Sequence, residues 1–219
     1  MNFSFLDKYI GYYIRGTEIT IILALFAVIF GTILGLALTL LRKNKIKPIS
    51  FVGTAYVEFV RGTPLLVQIY IIYIGLPILI GIDIPDMAVG AIALALNSAA
   101  YISEIIRAGI EAVDKGQMEA ARSLGMNQRL AMFEIIIPQA FKNILPALGN
   151  EFISVIKESS MVSVIGVAEL MYNQGIVRGN TALGLEPVIV AAGIYFVITF
   201  ALSRGLGIIE RRLKVSDIR

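Results

Sequence analysis

Apolar stretches long enough to cross a lipid bilayer dominate this chain. The hydrophobic fraction is 57% and the mean hydropathy is +0.81, whereas soluble domains contain roughly 45–50% apolar residues. A helix needs about 20 apolar residues to cross the hydrocarbon core, and residues 19–41 meet that requirement without interruption. We therefore predict an all-α integral membrane protein.

The hydropathy pattern predicts five transmembrane helices. The second stretch is longer than one crossing needs and contains Gly62-Thr63-Pro64. Because proline interrupts a helix, we expect a single bent or broken helix there. No linker or second domain is evident, so residues 1–219 form one transmembrane domain. The predicted spans cover residues 19–41, 51–80, 87–110, 144–168 and 187–208.

Lysine and arginine are distributed unequally between the loops, and this predicts the orientation. Cytoplasmic loops carry an excess of these residues. The side predicted to be external holds Lys8, Arg15 and Arg178. An odd number of spans then places the amino terminus outside and the carboxyl terminus in the cytoplasm, in the inner or plasma membrane of the cell. The opposite side holds Arg42, Lys43, Lys45, Lys47, Lys115, Arg122, Arg129, Lys142, Arg204, Arg211, Arg212, Lys214 and Arg219.

Composition argues against catalysis by this chain. It contains no cysteine and no histidine, which excludes thiolate and imidazole metal sites and the usual nucleophilic pairs. No glycine is followed by lysine, so the phosphate-binding loop G-x-x-x-x-G-K-[ST] is absent. The net charge of +3 comes from basic residues at the ends of spans. We therefore expect no metal, no enzymatic activity and no nucleic-acid partner.

A polar segment at residues 119–138 interrupts the apolar pattern. Residues 119–124 favour a helix of about two turns, and Gly125 stands where a left-handed cap commonly ends a helix. The small side chains of Ala120 and Ala121 would allow this helix to enter a groove on another protein. Glu119 and Arg122 would make charged contacts at its rim. The alternative is a solvated loop helix without a partner.

The spacing of this segment resembles a known signature. Glu119-Ala120-Ala121, three residues, Gly125, nine residues, and then Ile135-x-Ile137-Pro138 resemble the cytoplasmic loop of permease subunits in ATP-binding cassette (ABC) importers, with Ile137 in place of leucine. The resemblance to the polar amino acid uptake branch extends over nearly the whole chain. Its motifs are RGTPLLVQ at 61–68, ALNSAAY at 95–101, GQMEAARSLGM at 116–126 and LGNEF at 148–152.

This resemblance implies a type I importer permease architecture and a set of partners. Two permease subunits, identical or different, would form the path, and an extracellular or periplasmic binding protein would deliver the amino acid. A cytoplasmic ATPase would bind ATP and magnesium, so this chain needs no cofactor of its own. The coupling loop, about residues 112–142, would contact that ATPase through Glu119, Ala120, Ala121, Arg122 and Gly125. Membrane lipid would surround the spans.

Polar side chains within the predicted spans are candidates for substrate contact, because ionisable groups at membrane depth are costly. Glu58 and Arg61 lie three residues apart and could pair, or they could line the path beside the helix break. A second pair, Glu104 with Arg107, is expected to be structural. The predicted substrate-binding residues are Glu58, Asn97, Ser98, Glu151 and Ser154.

These residues favour a polar and, above all, a basic amino acid as substrate: arginine, lysine or histidine, with glutamine as the closest competitor. Glu58 and Glu151 would accept cationic groups, while Asn97, Ser98 and Ser154 would supply neutral hydrogen bonds. Two other functions remain open at this point. One is an ion-driven carrier or channel with ion sites at glutamates within the spans. The other is a membrane scaffold without transport.

Overall fold

A computed structural model describes residues 1–215, and all of its regular structure is helical. Arg219, counted above among the basic residues, lies outside the described residues. A π-helical turn covers Met132–Ile136, and a 3₁₀-helix covers Ser159–Ile165. The α-helices are α1 (Leu6–Arg42), α2 (Lys47–Gly62), α3 (Leu65–Ile80), α4 (Asp86–Glu111), α5 (Lys115–Ser123), α6 (Gln128–Ala131), α7 (Ile137–Glu158), α8 (Leu170–Thr181) and α9 (Glu186–Val215).

The five-span prediction is confirmed only in part. Within the described residues, α1, α4 and α9 are long and apolar enough to cross a membrane, and α2 with α3 adds a fourth span if the bent pair counts as one. The predicted break in the second stretch is confirmed, with a bend of 115°. The predicted span at 144–168 is not one straight helix, because α7 ends at Glu158 and a 3₁₀-helix follows. Charged residues within α7 lower its hydropathy.

Close packing of α1 against α4 forms the centre of the bundle. Gly31 and Gly35 of α1 face α4, where a side chain at Gly35 would come within 2.9 Å of the Ala99 carbonyl oxygen. Small residues allow helix backbones to approach closely in membrane proteins. Gly31 and Gly35 therefore allow α1 and α4 to pack closely. The surrounding core is drawn from α1, α3, α4, α7 and the 3₁₀-helix.

The side chain of Gln68 stabilises the break between α2 and α3 by hydrogen bonds. Thr63 is extended, as expected for a residue before proline, and the last carbonyl groups of α2 therefore lack helical partners. The side-chain amide of Gln68 donates to the carbonyl oxygens of Val60 at 2.7 Å and Thr63 at 3.0 Å. Its oxygen accepts a hydrogen bond from the Asn97 amide of α4 at 2.9 Å. The bend is therefore stabilised by hydrogen bonds, and one of them connects it to α4.

A buried carboxylate at the start of α8 connects this helix to neighbouring helices. Glu169 is fully buried and accepts hydrogen bonds from the backbone N–H groups of Met171 at 2.9 Å and Tyr172 at 2.8 Å, which caps α8. The Tyr195 hydroxyl of α9 donates to the same carboxylate at 2.8 Å, and Thr20 of α1 lies beside it. Glu169 therefore joins α1, α8 and α9. Glu169 was not among the residues predicted from the sequence.

Candidate functional site

The predicted coupling helix is present as α5, with both ends capped. The Asp114 side chain accepts a hydrogen bond from the Gly116 N–H at 2.7 Å at its start. At its end, Gly125 has a φ of +86°, and the Met126 N–H donates to the Ala121 carbonyl oxygen at 3.1 Å. This is the hydrogen-bond pattern of a left-handed glycine cap. The predicted helix end at Gly125 is therefore confirmed.

The exposed surface of α5 differs from the predicted contact surface at two positions. Glu119, Ala120 and Arg122 are exposed, but Ala121 is 4% exposed and packs inward. The small side chain available to a partner is therefore that of Ala120. Leu124 is 85% exposed just before the cap and was not among the predicted contact residues. A leucine inside an otherwise polar segment is the signal that could have identified it.

A hydrogen bond connects α5 to α7, the helix that follows the loop. The Gln139 side-chain amide donates to Gln117 of α5 at 3.3 Å and to the Ile135 carbonyl oxygen at 3.0 Å. The π-helical turn directly precedes Pro138, which lacks an N–H and would crowd the carbonyl group one turn earlier. Widening of the helix at such a turn accommodates that residue. Gln139 thus connects α5 to α7.

A cavity of about 490 Å³ lies between α2, α4 and α7. One wall carries Glu151 and Ser154 of α7, and the opposite residues come from α2 and α4. Its polar lining consists of Arg61, Tyr101, Glu104, Asn150, Glu151 and Ser154. The volume falls within the usual range for small-molecule sites. Carboxylate, guanidinium and hydroxyl groups therefore line one largely open cavity between these helices.

Glu104, which lines this cavity, contacts three arginine side chains. Arg42 of α1 donates to Oε1, Arg107 donates to Oε2 at 2.9 Å, and Arg61 Nη1 lies 3.4 Å from Oε2. The expected contact between Glu104 and Arg107 is confirmed. Of the two alternatives given for Arg61 and Glu58, the pair is not formed, since the packing of α2 on α4 brings Arg61 to Glu104 and leaves Glu58 exposed.

The five predicted substrate-binding residues occupy three different environments. Glu151 and Ser154 line the cavity, and the buried Ser98 donates to Glu151 Oε1 at 2.8 Å from behind. Asn97 is 4% exposed, and its side-chain amide donates a hydrogen bond to Gln68 of α3. Glu58 is exposed on α2 and does not line the cavity. The structure thus brings Ser98, Glu151 and Ser154 together, and the substrate-binding roles stay predictions.

Comparison with known protein families identifies the chain. The family described as binding-protein-dependent transport system inner membrane component matches residues 27–215. This chain belongs to that family. It is therefore a permease subunit, a multi-pass membrane protein, and the ATPase is a separate subunit. The resemblance found in the sequence is confirmed, and a scaffold or an ion-driven carrier is inconsistent with the family.

Curated relatives are similar over almost the whole chain. The putative glutamine transport system permease protein GlnP of Rickettsia bellii is 45% identical over 98% of this chain and 100% of its own length. The arginine transport system permease protein ArtQ of Bacillus subtilis is 42% identical over 99% of each chain. Similar permeases thus carry the names of different substrates.

A solved structure supports the fold. A crystal structure of an amino acid ABC transporter with histidines contains a chain that is 51% identical to this one. The two chains superpose with a TM-score of 0.92 over 97% of this chain and 100% of the other. The all-helical architecture of a type I importer permease is therefore confirmed for the described residues, while the number of spans is not.

Proposed function

We propose that this chain is the permease subunit of an ATP-driven importer for polar amino acids, with basic amino acids as the preferred substrates. The observation that carries the proposal is the Glu151 carboxylate, which lines the cavity while Ser98 donates to one of its oxygens. Its second oxygen can accept a hydrogen bond from a cationic group of the substrate. The names of the arginine and glutamine permeases among the relatives support an amino acid substrate.

Glutamine or another polar amino acid is the second candidate. Asn150 and Ser154 line the same cavity and can hydrogen-bond a neutral amide. A basic side chain would in addition donate a charge-assisted hydrogen bond to Glu151, which is roughly twice as strong as a neutral one. The carboxylate therefore favours arginine, lysine or histidine over glutamine.

The complete transporter in this proposal has three further components. A second permease, identical or different, completes the path, a cytoplasmic ATPase binds ATP and magnesium, and an external binding protein delivers the substrate. Residues 1–219 act as one transmembrane domain surrounded by lipid, with the loop at about 112–142 in the cytoplasm. The exposed Glu119, Ala120 and Arg122 with Leu124 form the contact surface for the ATPase.

Coupling follows from the connection between α5 and the cavity wall. Closure of the ATPase on ATP moves α5, and the Gln117–Gln139 hydrogen bond transmits that movement to α7. Because α7 carries Glu151 and Ser154, its displacement changes the cavity that holds the substrate. Nucleotide can shift the balance between inward-facing and outward-facing states only if the ATPase contacts those states differently. The surface of α5 supplies that contact.

Reconstitution tests the proposed function. The permease with its ATPase and binding protein should take up labelled arginine into liposomes when ATP is inside, with weaker uptake of glutamine. An ATPase with an inactivated phosphate-binding lysine serves as the control, since it binds the permease but cannot drive uptake. Uptake that persists with this control, or that follows an ion gradient instead of ATP, contradicts the proposal.

The absence of cysteine permits a direct test of orientation. Ser123 at the end of α5 and Asn180 near the end of α8 are both exposed. We expect a membrane-impermeant maleimide to label Asn180→Cys in intact cells and to label Ser123→Cys only after permeabilisation. The two variants control for each other, because each carries a single thiol. The reverse pattern would place the coupling helix outside and contradict the proposed topology.

A further inference from the structure

The cluster around Glu104 contains more positive than negative groups. Arg42, Arg61 and Arg107 share two carboxylates, those of Glu104 and of Glu111, which pairs with Arg107. Both oxygens of Glu104 already accept hydrogen bonds without Arg61, from Arg42 and Arg107. A charge within a helical bundle is costly unless an opposite charge compensates it. Glu151, a further carboxylate, lines the same cavity, but Arg61 is the arginine that Glu104 compensates least, and it could pair with a further anion.

Arg61 is the arginine that can bind this anion. Its side chain is 40% exposed and lines the cavity, whereas Arg42 and Arg107 do not line it. It makes no hydrogen bond to the residues that the structure describes, and its contacts are the 3.4 Å approach to Glu104 and the Tyr101 ring at 5.9 Å. A guanidinium group matches the two oxygens of a carboxylate. Arg61 thus presents unused donors to the cavity.

We propose that Arg61 binds the α-carboxylate of the amino acid substrate in this cavity, opposite the wall that carries Glu151. This inference rests on the proposed function, because it concerns the same cavity. Arg61 lies on α2 and Glu151 on α7, so the cavity offers one cationic and one anionic group. An amino acid carries both complementary charges. Arg61 therefore recognises the part that all α-amino acids share, and the α7 wall discriminates among their cationic groups.

Glu104 is an alternative anionic partner for Arg61. Arg61 Nη1 lies 3.4 Å from Glu104 Oε2. A substrate carboxylate would replace this loose contact with charge-assisted hydrogen bonds. After release, Glu104 would again compensate the Arg61 charge. Substrate entry and departure thus never leave the guanidinium without an anion nearby.

Binding of matched ligands to the assembled permease–ATPase complex, without binding protein, tests this inference. The probes are L-arginine with L-argininamide and L-glutamine with L-glutaminamide, where each amide lacks the carboxylate charge. We expect the unmodified complex to bind the acids about 10–100-fold more tightly than the amides, as is typical of charge-assisted hydrogen bonds. Arg61→Gln should lower acid binding to the level of the amides and leave amide binding unchanged. Arg61→Lys should retain part of the difference.

Arg107→Gln is the matched control, since Arg107 also contacts Glu104 but does not line the cavity. We expect it to preserve the difference between acid and amide. Preserved discrimination in Arg61→Gln, or equal loss of discrimination in Arg107→Gln, overturns the carboxylate role. Absence of ligand binding to the unmodified complex, together with normal ATP-driven uptake, overturns this inference alone. Absence of both overturns the proposed function as well. Co-purification with the ATPase verifies that each variant is folded.

Discussion

Glu119→Lys is expected to reduce ATP-dependent uptake about 10–100-fold while the permease still inserts into the membrane. Glu119 is exposed on α5, next to the exposed Ala120, so its replacement leaves the interior of the protein intact. Loss of a charge-assisted contact with the ATPase, combined with repulsion at the same place, accounts for this magnitude. The measurement is uptake per ATP hydrolysed in liposomes that contain equal amounts of assembled permease.

Gly125→Val should uncouple hydrolysis from uptake through the backbone. A side chain at Gly125 would meet no atom within 4 Å, but φ is +86°, and a left-handed conformation costs an L-residue about 1–2 kcal/mol. The cap of α5 would therefore shift, and with it the contact surface. Gly11→Val is the matched control, because Gly11 also has free space around it but no positive φ. Equal coupling in the two variants would contradict the role of the cap.

Glu134→Lys is the control that separates a specific effect at Glu119 from a general effect of charge in the loop. Glu134 is an exposed glutamate in the same loop but lies in the π-helical turn and not on α5. We expect this variant to lose less uptake than Glu119→Lys. Equal losses would mean that overall loop charge governs the interaction, and normal uptake with normal substrate-stimulated hydrolysis in Glu119→Lys would remove α5 as the coupling element.

Glu151→Gln is expected to weaken binding and uptake of arginine or lysine about 10–100-fold, with a smaller effect on glutamine. The carboxylate lines the cavity and is oriented by Ser98 at 2.8 Å. Glutamine preserves the shape and the Ser98 contact but removes the negative charge that compensates a cationic substrate. The measurement is the ratio of arginine to glutamine affinity in the assembled complex. Ser98→Ala should lower the same ratio less, because the carboxylate remains.

Glu58→Gln provides the comparison for Glu151→Gln. The sequence predicts both glutamates as substrate contacts, but Glu58 lies outside the cavity on the exposed side of α2. We therefore expect its effect on the arginine-to-glutamine ratio to be the smaller one. An unchanged ratio in Glu151→Gln would remove Glu151 from the substrate site, and a large change in Glu58→Gln would place the path along the outer side of α2.

The coupling helix was predictable because its determinants are local. Gly125 follows a run of good helix formers, and a residue that can adopt positive φ at that point ends a helix irrespective of its neighbours. The break at Gly62-Thr63-Pro64 was predictable for the same reason, since proline acts on the adjacent backbone. The burial of Ala121 was not predictable, because it depends on which side of α5 meets the rest of the chain.

The pairing of charged side chains was less predictable. Spacing along one helix suggested Glu58 with Arg61, but a neighbouring helix presented Glu104 at 3.4 Å from Arg61 instead. Asn97 likewise belonged to the predicted polar set, and its partner is Gln68, which fastens the α2–α3 break. Buried polar groups must find a hydrogen-bond partner, but sequence spacing cannot identify a partner on another element.

Hydropathy, charge distribution and local turn chemistry thus determined from the sequence that this is a helical membrane protein with a capped helix in a polar loop. The motif spacing determined its family. Tertiary structure alone decided that Ser98, Glu151 and Arg61 belong to one arrangement around a cavity, while Asn97 bonds to Gln68 and Glu58 does not line that cavity. The physical reason is that periodicity specifies which face of a helix a residue occupies, whereas helix packing specifies what that face meets.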